Sequence, residues 1–181
     1  MLHTLVVYVE DKPGVLNRVS SLFRRRNFNI DSLTVGHTET PGVSRMTIVC
    51  DTDPTAVRRV EANIYKLVDV LRVDDITDQP AVERELAMIK VAATHETRTQ
   101  IIQLADVFRA RTVDVSNDSL IVEITGSGDK IERLLDVLKP YGVLEMVRTG
   151  RVAMSRGEGS RATGAGPTAL PEHEAGVSYS V

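Results

Sequence analysis

The strongest constraint in this sequence is an order of elements that occurs twice. Residues 2–10, "LHTLVVYVE", alternate, with Leu5, Val7 and Val9 on one face, as in a half-buried strand. Helical spacing replaces the alternation from about Pro13 to Arg26, where Leu16, Val19, Leu22 and Phe23 predict a buried stripe. Strands follow over 30–38, with Leu33 and Val35 inward, and over 45–50, with Met46, Ile48 and Cys50 inward. Pro41 and Gly42 mark the turn between them. "DTDP" signals a helix start, with Asp53 as N-cap and Pro54 at the first helical position. Val57, Val60, Ile64 and Leu67 continue that helix, and a strand over 70–76 closes the unit. The order β-α-β-β-α-β is the split-βαβ or ferredoxin-like arrangement.

Residues 77–82 read as a short linker, and the same order then recurs. The stretch 84–93 is assigned as a strand by the repeat, since "ERELAMIKVAA" is also rich in helix formers. Ile101, Leu104, Ala105 and Phe108 predict a helix, and "TVDVS" and "SLIVEIT" predict strands joined by Asn117 and Asp118. Ile131, Leu134, Leu135 and Leu138 predict a second helix, stopped by Pro140, with one last strand within 142–154. The halves share element order and little residue identity. The expected fold is therefore α+β, with two ferredoxin-like βαββαβ units at 1–76 and 83–157. Beyond them the composition shifts to Gly, Ala, Ser, Thr and Pro, too poor in apolar surface to offset chain entropy. A disordered tail is expected over 158–181.

Bulk properties narrow the function. A net charge of −3, 4% aromatic residues and no Trp argue against nucleic acid as a partner. No apolar run is long enough to span a bilayer, so no membrane partner is expected either. The N-terminus reads as a strand, not a signal peptide, and the single Cys50 excludes an internal disulfide framework and fits a reducing compartment. A cytoplasmic location is expected. Cys50 alternates with Met46 and Ile48, so it reads as a small core residue. His3, His37, His95 and His173 each lack a second ligand at metal spacing. Arg24, Arg25 and Arg26 suit the carboxyl end of a helix and spread over half its circumference. "GSGDK" (126–130) is explained by a strand–turn–helix connection. With no nucleophile–base pair and no phosphate-loop pattern, neither a catalytic site nor a metal or cofactor site is expected on this chain.

One stretch asks for more, "EDKPGVLNRV" (10–19). A helix start offers unpaired N–H groups and the positive end of a dipole, which suit a carboxylate. Gly14 lacks a Cβ and lets a ligand approach the backbone. Asp11 either caps the helix or accepts from an ammonium group, and a free amino acid carries both charges. A capped turn explains the same residue types. The residues alone leave both readings open.

"VEDKPGVLNRV", followed by "RRNFNIDSLTVG" and "SRMTIV", resembles an ACT domain, a small-molecule-sensing module. Together with "KLVDVLRV" (66–73), "VERELAMIKV" (82–91), "FRARTVDVS" (108–116) and "SRG" (155–157), these motifs resemble, in order over 1–157, the regulatory small subunit of acetohydroxyacid synthase (acetolactate synthase). The resemblance implies a subunit without catalysis of its own that binds a catalytic large subunit carrying thiamine diphosphate, Mg²⁺ and FAD. It implies activation of that subunit and feedback inhibition by valine in branched-chain amino acid biosynthesis. It further implies a homodimer through the ACT domain, with valine held between two chains. One chain supplies Asp11, Pro13, Gly14, Val15 and Leu16, and the other supplies Asn29 and Ile30. In a sheet ordered 4-1-3-2 the second strand is an edge, open to two-fold pairing with a second copy. The Asn29 amide can donate to a carboxylate and accept from an ammonium. Val15, Leu16 and Ile30 can line a slot for a branched side chain. The alternative is a stand-alone amino-acid-sensing ACT regulator of transcription, against which stand the missing helix-turn-helix and basic stripe.

Overall fold

The structure, a computed structural model, describes residues 1–157 of the 181. The tail expected over 158–181 lies outside the described residues. The first unit runs β1 (Leu2–Glu10), α1 (Val15–Arg25), β2 (Ile30–His37), β3 (Val43–Asp51), α2 (Pro54–Ile64) and β4 (Val70–Asp75). Its sheet has the order β2-β3-β1-β4, with every neighbouring pair antiparallel, so β2 is an edge as the ferredoxin-like order requires. Leu5, Val7, Val9, Met46, Ile48 and Cys50 face the helices, where Val15, Val19, Phe23, Val57, Val60 and Ile64 complete the core. Cys50 is fully buried, and that burial pushes its thiol up to about 11, which leaves it an inert core residue.

Two expected core positions lie outside it. Leu16 is 44% exposed and Val35 42%. The helix starts at Val15 and not at Pro13, and its buried residues are Val15, Val19 and Phe23. Leu16, about 100° further round, turns outward. Val35 sits on the edge strand, where the helix layer no longer covers it.

Asp53 caps α2 as its sequence predicts, accepting from Thr55 N at 2.9 Å and Ala56 N at 2.8 Å, with Pro54 behind it. The Thr55 hydroxyl, then the Ala56 amide, hold its carboxyl below the usual carboxylate range. A depressed folded pKa means that the stabilisation is present above the unfolded value and is lost as pH falls through the folded one. Asp53→Ala is therefore expected to lower the thermal midpoint by about 2–4 °C at neutral pH. The gap should narrow as pH falls below the ordinary carboxylate range and through the depressed folded value, as scanning calorimetry at neutral and acid pH would show.

The second unit runs β5 (Ala81–Ala92), α3 (Arg98–Val107), β6 (Arg111–Val115), β7 (Ser119–Gly126), α4 (Gly128–Leu138), a 3₁₀ turn at Lys139–Tyr141, β8 (Val143–Arg148) and β9 (Val152–Ser155). Its sheet, β6-β7-β5-β8, repeats the first order. Ala87, Ile89 and Val91 of β5 join Ile101, Leu120, Val122, Ile131 and Leu134 in a second core, so the stretch rich in helix formers is a strand. The single last strand expected within 142–154 is in fact two. Both β8 and β9 pair with β5, but the register slips by one residue between the Ala87–Arg148 and Arg84–Val152 pairs. The extra residue bulges out at 149–151, where Thr149 N donates to Leu86 O at 2.9 Å and its Oγ1 accepts from Leu86 N at 3.0 Å.

That bulge and β9 lie on the face of the first sheet opposite its helices. Ala153 packs with Val6 and Ile76, flanked by Tyr8 and Ala81. Thr4, Val6, Thr47 and Val49 are buried there in consequence. The first sheet is thus covered on both faces, on one of them by the end of the described chain.

Candidate functional site

The loop after β1 is built from backbone bonds. Glu10 N donates to Asp69 O, Asp11 N to Gly42 O and Lys12 N to Glu10 O, at 2.8, 2.8 and 2.9 Å. Gly14 then stands at the N-cap of α1 with φ 86° and ψ −6°, a left-handed conformation that strains any residue with a Cβ. No side chain caps α1, which leaves its first-turn amides without a side-chain acceptor. Nothing lies within 4 Å of the point where a Gly14 Cβ would stand, so the space in front of Gly14 is open, while Val15 N already donates to Lys12 O at 3.4 Å. Pro13 is exposed beside it, and Lys12 is engaged with Glu10 at 2.7 Å.

Asp11 does not cap the helix. Its Oδ1 accepts from the Ser44 hydroxyl at 3.2 Å, and its Oδ2 lies 3.3 Å from His37 Nδ1. The carboxylate therefore ties the loop to the end of β2 and the start of β3. Ser44 and His37 face each other across the β2–β3 pairing, which is what brings both to Asp11. Neither residue carries a sequence signal for this role, because only the strand register makes them neighbours.

The remaining candidate residues separate. Val15 is 4% exposed and its side chain belongs to the core, so only its backbone faces the loop. Leu16, turned outward beside Gly14, offers the loop's accessible apolar side chain. Asn29 is exposed and Ile30 packs partly against the core. Ile30 pairs with Cys50, which pairs with His3 at the start of β1, whereas the loop sits at the far end of β1 beside Val43. Seven strand positions separate them, roughly 23 Å at ~3.3 Å each. One chain holds the two halves of the candidate site apart.

A groove of about 420 Å³ runs along the α2 side of α1, lined by Arg18, Arg25, Arg26, Asn63 and Lys66 among others. Arg25 and Arg26 thus share a surface that the spread of the arginine run around the helix conceals. Part of that charge is engaged, by Arg18 with Asp69 at 2.7 Å and by Arg26 with Asn63 Oδ1 at 3.2 Å. None of the candidate effector-site residues, Asp11, Pro13, Gly14, Val15, Leu16, Asn29 and Ile30, lines this groove. Among the described residues no group of three or more His, Cys, Asp or Glu could hold a metal ion, and no helix is long and apolar enough to cross a membrane.

A βαββαβ unit with an open glycine loop between its first strand and first helix has the frame of an ACT regulatory domain. The family model described as AHAS small subunit-like ACT domain matches residues 5–72, and one described as small subunit of acetolactate synthase matches residues 84–157. The chain is 52% identical over 157 residues to the probable acetolactate synthase small subunit of Archaeoglobus fulgidus, covering 87% of this chain and 98% of that one. It is 47% identical over 164 residues to the acetolactate synthase small subunit of Bacillus subtilis, covering 90% and 95%. The crystal structure of the small subunit from Thermotoga maritima superposes with a TM-score of 0.80 at 42% identity, covering 87% of this chain and 98% of that one. The chain belongs to the family of acetolactate synthase small subunits, the regulatory subunits of that enzyme.

Proposed function

We propose that this subunit raises the activity of a thiamine-diphosphate-dependent acetolactate synthase large subunit and makes it subject to feedback inhibition by valine. The observation that carries the reading is the start of α1, a helix end without a side-chain cap, opened by a left-handed Gly14 with free space in front of it. A ligand carboxylate fits there, on the first-turn amides. In this reading the ammonium meets the partner's Asn29, and the branched side chain lies on Leu16 and on the partner's Ile30. Asp11 holds the loop through Ser44 and His37 and adds negative charge on the ammonium side.

In this reading the site draws on two copies, and the separation of its halves within one chain supports that. β2 runs from Ile30 to His37, and His37 touches Asp11 of the loop. Antiparallel two-fold pairing of β2 edges brings the Ile30 end of one copy to the His37 end of the other, and so to its loop. Valine then stabilises one dimer arrangement and, by linkage, biases the large subunit toward a less active state. One methylene in an apolar slot is worth only ~1–3 kcal/mol, so leucine and isoleucine bind more weakly without being excluded. The subunit acts in the cytoplasm in this reading, on a large subunit that carries thiamine diphosphate, Mg²⁺ and FAD.

The test is calorimetry of the pure chain with valine, leucine and isoleucine, joined to assays of the large subunit with and without this chain. Valine is expected to bind tightest, and the chain to raise activity that valine then lowers. A chain that leaves the large subunit's activity and its response to valine unchanged, or that is recovered on DNA, would sink the reading.

A further inference from the structure

The bulge between β8 and β9 reaches back onto β2, the strand whose start carries Asn29 and Ile30. Arg151 N donates to Ser32 Oγ at 2.8 Å, across 119 residues of chain. Beside it, a Cβ on Gly150 would stand 2.5 Å from Thr34 Oγ1, 2.7 Å from Leu33 O and 2.9 Å from Leu33 C. Two of those atoms are backbone, so only glycine passes β2 this closely. The Thr34 hydroxyl is buried there without a hydrogen-bond partner, an unusual state that the close packing of Gly150 accounts for.

Arg151 is itself fixed from several sides. Its Nη1 lies 3.2 Å from Glu83 Oε2 and 3.4 Å from Thr4 Oγ1, and its Nε lies 3.4 Å from Glu85 Oε1. Glu85 also takes Arg148 Nε at 2.6 Å. Arg45 of β3 adds a bond to the carbonyl of Ala153. β2, by contrast, has a strand neighbour on one side only, and its pairing with β3 shifts register between Ile30 and Ser32. The clamp therefore bears on the part of β2 that its own sheet holds least.

We propose that Gly150 and Arg151 are positioning residues for the effector site, set on the second unit and acting through β2. Ligand binding at Asn29 and Ile30 and the seating of the second unit on the first sheet are then one coupled equilibrium, and the coupling is reciprocal. The positioning of β2 stands on contacts alone, while its link to valine rests on the effector reading above.

Hydrogen–deuterium exchange on the full chain, with calorimetry alongside, tests it. Gly150→Ala is expected to speed exchange over 30–37 by tenfold or more, to leave β6 and β7 unchanged, and to weaken valine binding by about 5-fold or more. In the wild type, valine is expected to slow exchange over 149–155, a response that a merely structural contact does not give. Ser32→Ala removes one hydrogen bond and adds no bulk. It should shift exchange over 30–37 in the same direction by a smaller factor, and it decides the matter if Gly150→Ala fails to fold. Unchanged exchange over 30–37 in the variants overturns the proposal, as does unchanged exchange over 149–155 when calorimetry shows valine bound. A wild type that binds no valine counts against the effector reading alone, and exchange over 30–37 still decides the positioning of β2.

Discussion

Replacing Gly14 with Asp is expected to leave a folded subunit that still activates the large subunit but binds valine about 100-fold or more weakly. The substitution meets no clash, because the space in front of Gly14 is empty. It does place a residue with a Cβ at φ 86°, at roughly 1–2 kcal/mol of backbone strain, and Asp tolerates that region better than most residues. The larger effect is electrostatic. Two like charges about 4 Å apart repel by about 4 kcal/mol at an effective dielectric of 20, nearly a thousandfold in affinity. Solvent at the open loop reduces this to the figure given. Gly14→Asn separates the causes, since it has the same shape and the same tolerance of a left-handed backbone without the charge. If Asn loses as much affinity as Asp, the effect is steric. A Gly14→Asp subunit that activates and keeps wild-type inhibition by valine would show that the ligand carboxylate sits elsewhere.

Val35→Asp is expected to turn a dimer into a monomer and to remove valine binding with it. Val35 lies on the edge strand and is already 42% exposed, so the change costs the isolated fold little. Across a two-fold β2 pairing it puts a carboxylate from each copy into the seam between the strands, and a charge taken out of water there without a partner is destabilising. Sedimentation reads the first effect, as a dimer constant weakened tenfold or more. Calorimetry reads the second, because the loop and the start of β2 lie roughly 23 Å apart in one chain. A Val35→Asp chain that remains a dimer and binds valine as the wild type does would place the interface on another surface.

What the sequence makes legible here is what local rules govern. Strand alternation, the Asp53–Pro54 helix start and the β-α-β-β-α-β order all rest on neighbours in the chain, and the structure has them in place. The α1 stripe is misread by one residue for the same reason. Val15 and Leu16 stand four and three residues before Val19, so spacing alone admits either to the stripe, and the structure buries Val15 and turns Leu16 outward. The division of the last strand is invisible locally, because its cause is the contact of Gly150 with Leu33 and Thr34 in the other half of the chain. Asp11 shows both sides of this. Its residue type suggests a cap or an ammonium acceptor, yet its partners, Ser44 and His37, are set by strand register.

The cover that β9 gives to the first sheet also has a consequence in the order of synthesis. Once about 75 residues are made, the first unit has all the strands and helices of its own core. The opposite face, with Val6, Val49 and Ile76, waits for residues 149–155. At ~5–20 residues per second that wait is roughly 4–15 s for each nascent chain. During it, a flat apolar surface beside an unpaired strand edge is open to other chains on the same message. A polypeptide stopped after residue 76 keeps that surface uncovered for good. It is expected to sediment as aggregate unless Val6 and Val49 are made polar.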